Sequence, residues 1–224
     1  MAILYDGCTA QNRRAVNMDS LLLTERLLEG QKTCLAVVCD GVGSTQDGAY
    51  ASSAAVKMLW AWYNNIEHTG HLGLQLRGCV LEISRFVEKA AQLEGLQTAS
   101  TLSALLICGE KYYVTNVGDS RVYCMDGGTL VQLTRDHTSD GKLTSWIGRP
   151  DPIDVFYEEG TCLGKRFLVC SDGLYKRMDL SYLQKALLRA NKKNIRKVAE
   201  QMIQHVMDQG EGDNISAAIV VCES

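Results

Sequence analysis

The chain has 224 residues, 46% of them hydrophobic, and a formal net charge of −3. That length and apolar content suit one globular domain with a full core, and the small negative balance gives no electrostatic footing for nucleic acid or an anionic membrane. No run approaches eighteen apolar residues and the N-terminus lacks a basic-then-apolar signal pattern, so a soluble, cytoplasmic protein is expected.

In chain order, Asp19 to Leu28 and Lys32 to Asp40 read as two strands joined at Glu29-Gly30. The continuous apolar run from Thr33 to Cys39 predicts a strand buried on both faces. The period then changes. Ala51, Ala54, Ala55, Met58, Leu59 and Trp62 fall on one face of a helix, and Leu72 to Leu93 reads as a second helix bounded by Gly70 and Gly95. Ala99 to Cys108, Lys111 to Val117, Arg121 to Met125 and Leu130 to Leu133 read as strands joined by short turns, followed by Arg166 to Ser171. Two further helices span Leu180 to Ala190 and Asn194 to Gln209, and Ser216 to Cys222 closes the chain as a strand. Hairpin-linked strands with helices grouped in pairs point to α+β, with two packed sheets and helices on the outer faces. The only prolines are Pro150 and Pro152, and no linker or repeat interrupts residues 1–224, which predicts a single domain. Nine cysteines without a Cys-x-x-Cys, most of them inside apolar runs, read as reduced core residues.

Asp40-Gly41 and Asp172-Gly173 each follow an apolar strand, and Asp213 precedes another. Carboxylates at strand ends, brought together from distant segments, suit a hard divalent cation. The same dipeptide is also a turn signal. Of six Asp-Gly pairs, Asp126-Gly127 lies between alternating flanks and reads as a hairpin turn, whereas turn and ligand stay equally open for Asp40 and Asp172 taken alone. Arg14, beside Arg13, reads by itself as a solvated charge. Asp136-His137 reads as a loop organiser, and His68 and His71 as loop residues at a helix break.

Taken together, Arg14 to Ser20, Asp40-Gly41-Val42-Gly43-Ser44, Ala99-Ser100-Thr101, Asn116 to Arg121, Leu133 to His137, Ser171-Asp172-Gly173-Leu174 and Asp213-Asn214 resemble the type 2C metal-dependent serine/threonine protein phosphatases, in particular short bacterial members. The resemblance spans nearly the whole chain and implies a four-layer α-β-β-α sandwich with a pair of Mg²⁺ or Mn²⁺ ions at one end of the sheets. It implies that Asp40 bridges the ions with the Gly41 carbonyl on one of them, that Asp172 and Asp213 hold the other, and that Asp19 acts through coordinated waters. Arg14 matches the phosphate-binding arginine, with Arg14 and Asp40 as the catalytic pair. The implied reaction is hydrolysis of phosphoserine and phosphothreonine in proteins by a water bridging the metals. The implied partners are phosphoproteins, opposed by a serine/threonine kinase, and the chain is expected to be a monomer.

Departures from the family pattern carry their own expectations. Met18 stands where many members have glutamate, Val42 where some have histidine, and Thr138 to Thr144 replaces a longer flap. An auxiliary ion in many members lies between the aspartate corresponding to Asp119 and one four residues after Asp172. Here that second position is Lys176, so two ions are expected rather than three, with Lys176 pairing with Asp119, reaching the substrate phosphate, or standing solvated beside Arg177. The rival reading is a non-catalytic or weakly active phosphoprotein-binding regulator of the same fold. A structural calcium domain fits less well, because no loop has the required carboxylate density.

Overall fold

Two five-stranded antiparallel sheets stack face to face, each with a helix pair on its outer side. The computed structural model describes residues 1–43, 45, 47–150 and 152–223. The chain runs β1 (Ala2–Ala10), β2 (Asp19–Leu28), β3 (Gln31–Asp40), α1 (Gly48–Asn65), α2 (Leu72–Glu94), β4 (Leu102–Cys108), β5 (Lys111–Val117), β6 (Arg121–Asp126) and β7 (Thr129–Gln132). It continues through β8 (Thr138–Ser139), β9 (Lys142–Leu143), β10 (Phe156–Thr161), β11 (Arg166–Cys170), α3 (Asp172–Tyr175), α4 (Leu180–Arg189), α5 (Ile195–Asp208) and β12 (Ile215–Glu223). One sheet is ordered β1-β12-β11-β6-β7 and the other β10-β5-β4-β3-β2, with β8 and β9 forming a separate small ribbon.

The two-residue period of a strand sorts the apolar runs into three core layers. On β3, Leu35, Val37 and Cys39 face α1 and α2, while Cys34, Ala36 and Val38 face the other sheet. On β12, Ile215, Ala217, Ile219 and Val221 face α4 and α5, while Ala218, Val220 and Cys222 point between the sheets. The central strands thus read as unbroken apolar runs because both their faces are covered. All nine cysteines are buried thiols within these layers.

The expected strands and helices are present with shifts at their ends, and four strands, β1, β8, β9 and β10, and the short helix α3 are additional. Of these, β1 and β10 lie at the edges of the two large sheets. β1 carries Asp6-Gly7 and β10 carries Glu158-Glu159-Gly160, the polar and glycine content that edge strands tolerate and that hides their period. The strand expected from Ala99 starts later, at Leu102, because Ser100 bridges Gly41 on one side and Ile147 on the other instead of joining the ladder. Ser44, at the end of the Asp40 motif, lies outside the described residues.

The Asp-Gly pairs separate by environment. Asp126-Gly127 forms the β6–β7 hairpin turn and Asp140-Gly141 the β8–β9 turn, both glycines at positive φ. At Gly173 the requirement is space: a Cβ there would lie 2.1 Å from the Asn214 carbonyl oxygen. At Gly41 it would lie 2.6 Å from the Gly48 backbone and 2.8 Å from the Met18 carbonyl oxygen. Backbone cannot step aside as a side chain can. Gly173→Ala should therefore lower stability by about 1–3 kcal/mol in urea unfolding with chelator present. Gly78, inside α2 with no atom near its missing Cβ, gives the opposite expectation: Gly78→Ala should raise stability by about 0.5–1 kcal/mol in the same measurement.

Candidate metal centre

Antiparallel pairing of β2 with β3 sets Asp19, the first residue of one strand, opposite Asp40, the last of the other. Strand parity does the rest. Asp40 continues the series Cys34, Ala36, Val38 that faces the opposite sheet, so its carboxyl enters the open end of the inter-sheet layer. In that opposite sheet β11 ends at Cys170 beside the start of β12, which brings Asp172 and Asp213 to the same end. Asp119 lies where the chain crosses between the sheets, from β5 to β6, and Arg14 where it crosses from β1 to β2.

These residues line one cleft of about 880 Å³, shared by Arg14, Asp40, Gly41, Asp119, Asp172, Lys176 and Asp213. Met18, Val42 and the β8–β9 ribbon around Lys142 line it as well. Asp19 is 7% exposed and stands next to Asp40. Its Oδ2 accepts hydrogen bonds from Ser171 Oγ (2.8 Å) and Ser216 Oγ (2.7 Å), which ties the two sheets together. Its Oδ1 and the Asp172 Oδ1 are buried without a hydrogen-bond partner. Among the described residues nothing donates to the Asp40 carboxylate.

Burial pushes the Asp40 carboxyl well above the ordinary aspartate value, with Asp19, Asp172, Asp119 and Asp213 adding repulsion. Burial likewise lifts Asp19 to about 6, against the lowering effect of its two serines, and Asp119 to about 6 with help from Asp172. Asp213 goes the other way. Burial raises it, but the Arg14 fork (Nε–Oδ1 2.8 Å, Nη2–Oδ2 2.8 Å) and the Asn214 N–H (2.8 Å) hold it below the ordinary value. Lys176, its side chain half-exposed, bonds the Asp172 carboxylate instead of Asp119, and Arg177 faces Glu211. Among the described residues no three carboxylate, imidazole or thiol side chains close into a ready-made metal cage. The donor set nevertheless fits a hard divalent cation: buried carboxyl oxygens without partners, crowded enough to repel one another, call for positive charge.

Other residues hold the site in place. Asn214 donates to the Gln11 (2.8 Å) and Val16 (3.1 Å) carbonyls and accepts from Met18 N–H (2.9 Å), pinning the loop that carries Arg14. Asn12 donates to the Glu211 (2.7 Å) and Asp213 (3.0 Å) carbonyls from the other direction. Thr101 Oγ1 accepts from Asp40 N–H (3.0 Å) and pairs with Ser120 Oγ (2.6 Å). Arg121 grips Asp136 and stacks 3.6 Å over the Tyr175 ring, whose hydroxyl donates to the Asp119 carbonyl (2.9 Å). His137 organises a loop, as expected: its Nδ1 accepts from Gly118 N–H (3.1 Å) and its Nε2 faces Asp154 at 3.4 Å. His68 is exposed beside Glu29. The sequence reading missed Asn12, Asn214, Tyr175 and the serine pair. The available signal was small polar residues inside or beside otherwise apolar buried strands.

Carboxylates from the ends of two stacked sheets meet in one cleft of an α-β-β-α sandwich, a donor set of the type that suits hydrolytic metal centres. The protein phosphatase 2C profile matches residues 7–218, and the chain belongs to that family. The serine/threonine protein phosphatase PstP of Mycobacterium tuberculosis is 29% identical over 233 residues, covering 92% of this chain and 42% of its own. This chain therefore spans about two fifths of that relative's length. Among solved structures, PppA of Pseudomonas aeruginosa matches with a TM-score of 0.83 and 26% identity, over 99% of this chain and 98% of its own. The PstP catalytic domain, solved with two manganese ions, matches with a TM-score of 0.83 and 24% identity over 98% and 97%. The four-layer sandwich expected from the sequence is the observed fold.

A carboxyl with a raised pKa in the folded state contributes stability fully below its unfolded value of about 3.9 and loses it as pH rises through the folded value. For Asp19 that loss runs up through about 6. Asp40 and Asp119 act in the same direction, and Asp213 opposes them. The metal-free chain should therefore melt at lower temperature at neutral pH than at mildly acidic pH. Asp19→Asn should flatten that slope in thermal unfolding with chelator. A slope unchanged by the substitution would remove Asp19 from the account.

Proposed function

We propose that this chain is a metal-dependent protein phosphatase that hydrolyses phosphoserine and phosphothreonine in proteins with Mg²⁺ or Mn²⁺. The observation that carries this reading is the convergence of Asp40, Asp172 and Asp213 in one cleft, with buried oxygens lacking partners, inside a protein phosphatase 2C chain. Asp40, Asp172 and Asp213 would hold the ions, with the Gly41 carbonyl and, through water, Asp19. The bound ions would neutralise the phosphate and supply an activated water. Arg14, whose fork lies on Asp213 in the metal-free arrangement, has the planar geometry to take two phosphate oxygens instead. Gly43 lies beside the Arg14 guanidinium, and the absence of a side chain there leaves room for a phosphate. The shortened 138–144 segment forms only the β8–β9 ribbon, so the cleft lacks a long flap over it.

Met18, in place of a carboxylate, favours the non-catalytic reading, and the retention of Asp40, Asp172, Asp213 and Arg14 in one cleft supports the catalytic one. The substrates in this proposal are phosphoproteins, the opposing activity is a serine/threonine kinase, and the protein is a single-domain cytoplasmic monomer over residues 1–224. No helix among the described residues is long and apolar enough to cross a membrane.

The test is turnover of a small aryl phosphate and a phosphothreonine peptide with Mn²⁺, with and without chelator. Chelator should abolish both activities. Asp172→Asn and Asp213→Asn should each lower turnover about 100-fold or more with circular dichroism unchanged, and near-normal turnover of either at saturating Mn²⁺ would overturn the ligand assignment. Met18 lines the cleft through a thioether that cannot orient coordinated water. Met18→Glu should lower the Mn²⁺ concentration giving half-maximal activity, whereas superimposable titrations would make Met18 a packing residue only.

A further inference from the structure

Lys176 caps the short helix α3 four residues after Asp172, and its ammonium bonds Asp172 Oδ2. Such i,i+4 pairs on open helix faces are common and weak. Three features set this one apart. The Asp172 side chain is only 13% exposed, and its second oxygen is buried without a partner. Lys176 shares its cleft with three further carboxylates, those of Asp40, Asp119 and Asp213. On the neighbouring strand end, Arg14 occupies Asp213 through both of its oxygens. Two side-chain cations thus cover the two carboxylates offered by the β11–β12 end, while among the described residues no side-chain cation pairs with Asp19 or Asp40 of the other sheet.

We infer that Lys176 is an internal counterion that competes with a divalent cation for Asp172. The inference rests on the metal-centre reading proposed above and adds a residue to it. In the metal-free protein the ammonium neutralises a carboxylate that would otherwise be buried, charged and alone, an arrangement strongly unfavourable to the folded state. A divalent cation at Asp172, whether on the free Oδ1 or on Oδ2, competes with the ammonium for the charge of the same carboxylate, so binding acts to displace it. Asp119, in the same cleft, is the next carboxylate available to it. Lys176 therefore steadies the protein without metal and weakens its hold on metal. Its positive charge also opposes a further cation between Asp119 and α3, which keeps the centre to two ions.

The test uses the full chain stripped of metal. Wild type, Lys176→Met, Lys176→Gln and Arg177→Met are compared by thermal unfolding in chelator and by calorimetric titration with Mn²⁺. Arg177 is the control, being next in sequence and as exposed as Lys176 (53% against 55%) but engaged with Glu211 instead of Asp172. Lys176→Met and Lys176→Gln should melt at lower temperature without metal and bind Mn²⁺ about tenfold more tightly or better. Arg177→Met should shift the affinity by less than about twofold, as a screened surface charge does. In the double variant with Asp119→Asn, the gain from Lys176→Met should grow, because the displaced ammonium has lost its second partner. Folded Lys176 variants with unchanged or weaker Mn²⁺ affinity would overturn the inference while leaving the metal centre standing. An equal gain from Arg177→Met would overturn it too, by reducing the effect to the general field. Absence of Mn²⁺ binding in every protein would remove the metal centre and this inference with it, whereas binding by the Lys176 variants alone would be its strongest support.

Discussion

At the open end of the inter-sheet layer, Asp19 gives one carboxylate oxygen to Ser171 and Ser216, and this junction binds the strands of one sheet to the strand ends of the other. A second bond, from Ser216 N–H to Ser171 Oγ (2.9 Å), fixes the serine pair itself. Deeper in the layer the sheets meet mainly through apolar contacts, which fill space without fixing direction. The junction is polar, buried and directional, so it sets the relative position of the strand ends that carry Asp40, Asp172 and Asp213. It also places a charge where the core would otherwise exclude one. Its cost is the burial, with repulsion between the carboxylates added, that raises the Asp19 and Asp40 carboxyls above the ordinary range. The fold keeps that arrangement because the surrounding ladders hold it, as strained and desolvated groups persist only where the scaffold overdetermines them.

Much of this frame was legible in the sequence, for a physical reason. β3, β4 and β12 are covered on both faces, so they read as unbroken apolar runs, and an aspartate at the end of such a run stands out against them. The helix pairs were equally plain, because α1 and α2 each bury one stripe against a sheet. The edge strands were not. β1 pairs on one side only and carries Asp6-Gly7 in its middle, and β10 is mostly polar, so neither has a period to detect. The Asp-Gly dipeptides were ambiguous for a related reason. Glycine at Gly127 answers a backbone angle, whereas glycine at Gly173 answers the nearness of the Asn214 carbonyl, which no local pattern marks.

What the sequence hid within the site is mostly pairing. Arg14 and Asp213 lie 199 residues apart, and Asn214 reaches Gln11 and Val16 over a similar span. Nothing local marks such partners, because their encounter depends on β1 pairing with β12 along its whole length. That pairing makes the first and last strands neighbours and brings both loops at their ends to the cleft. The Lys176–Asp172 pair is local, yet its meaning was equally hidden. Spacing alone allows a solvated helix pair, and only the burial of Asp172 beside further carboxylates turns it into a competitor for metal.

Asp119 illustrates how the scaffold treats a charge it does not neutralise. Its carboxyl is raised by burial and by Asp172, and its own loop offers little relief. The loop is instead fixed from both sides through backbone groups. Tyr175, on the same helix as Asp172, holds the Asp119 carbonyl, and His137 takes the Gly118 N–H. Arg121 links the two supports by stacking on Tyr175 while bonding Asp136, the neighbour of His137. The side chain of Asp119 is thereby left free of structural duty while its backbone is held on two fronts. A carboxylate so placed has its position determined and its charge left available to the cleft.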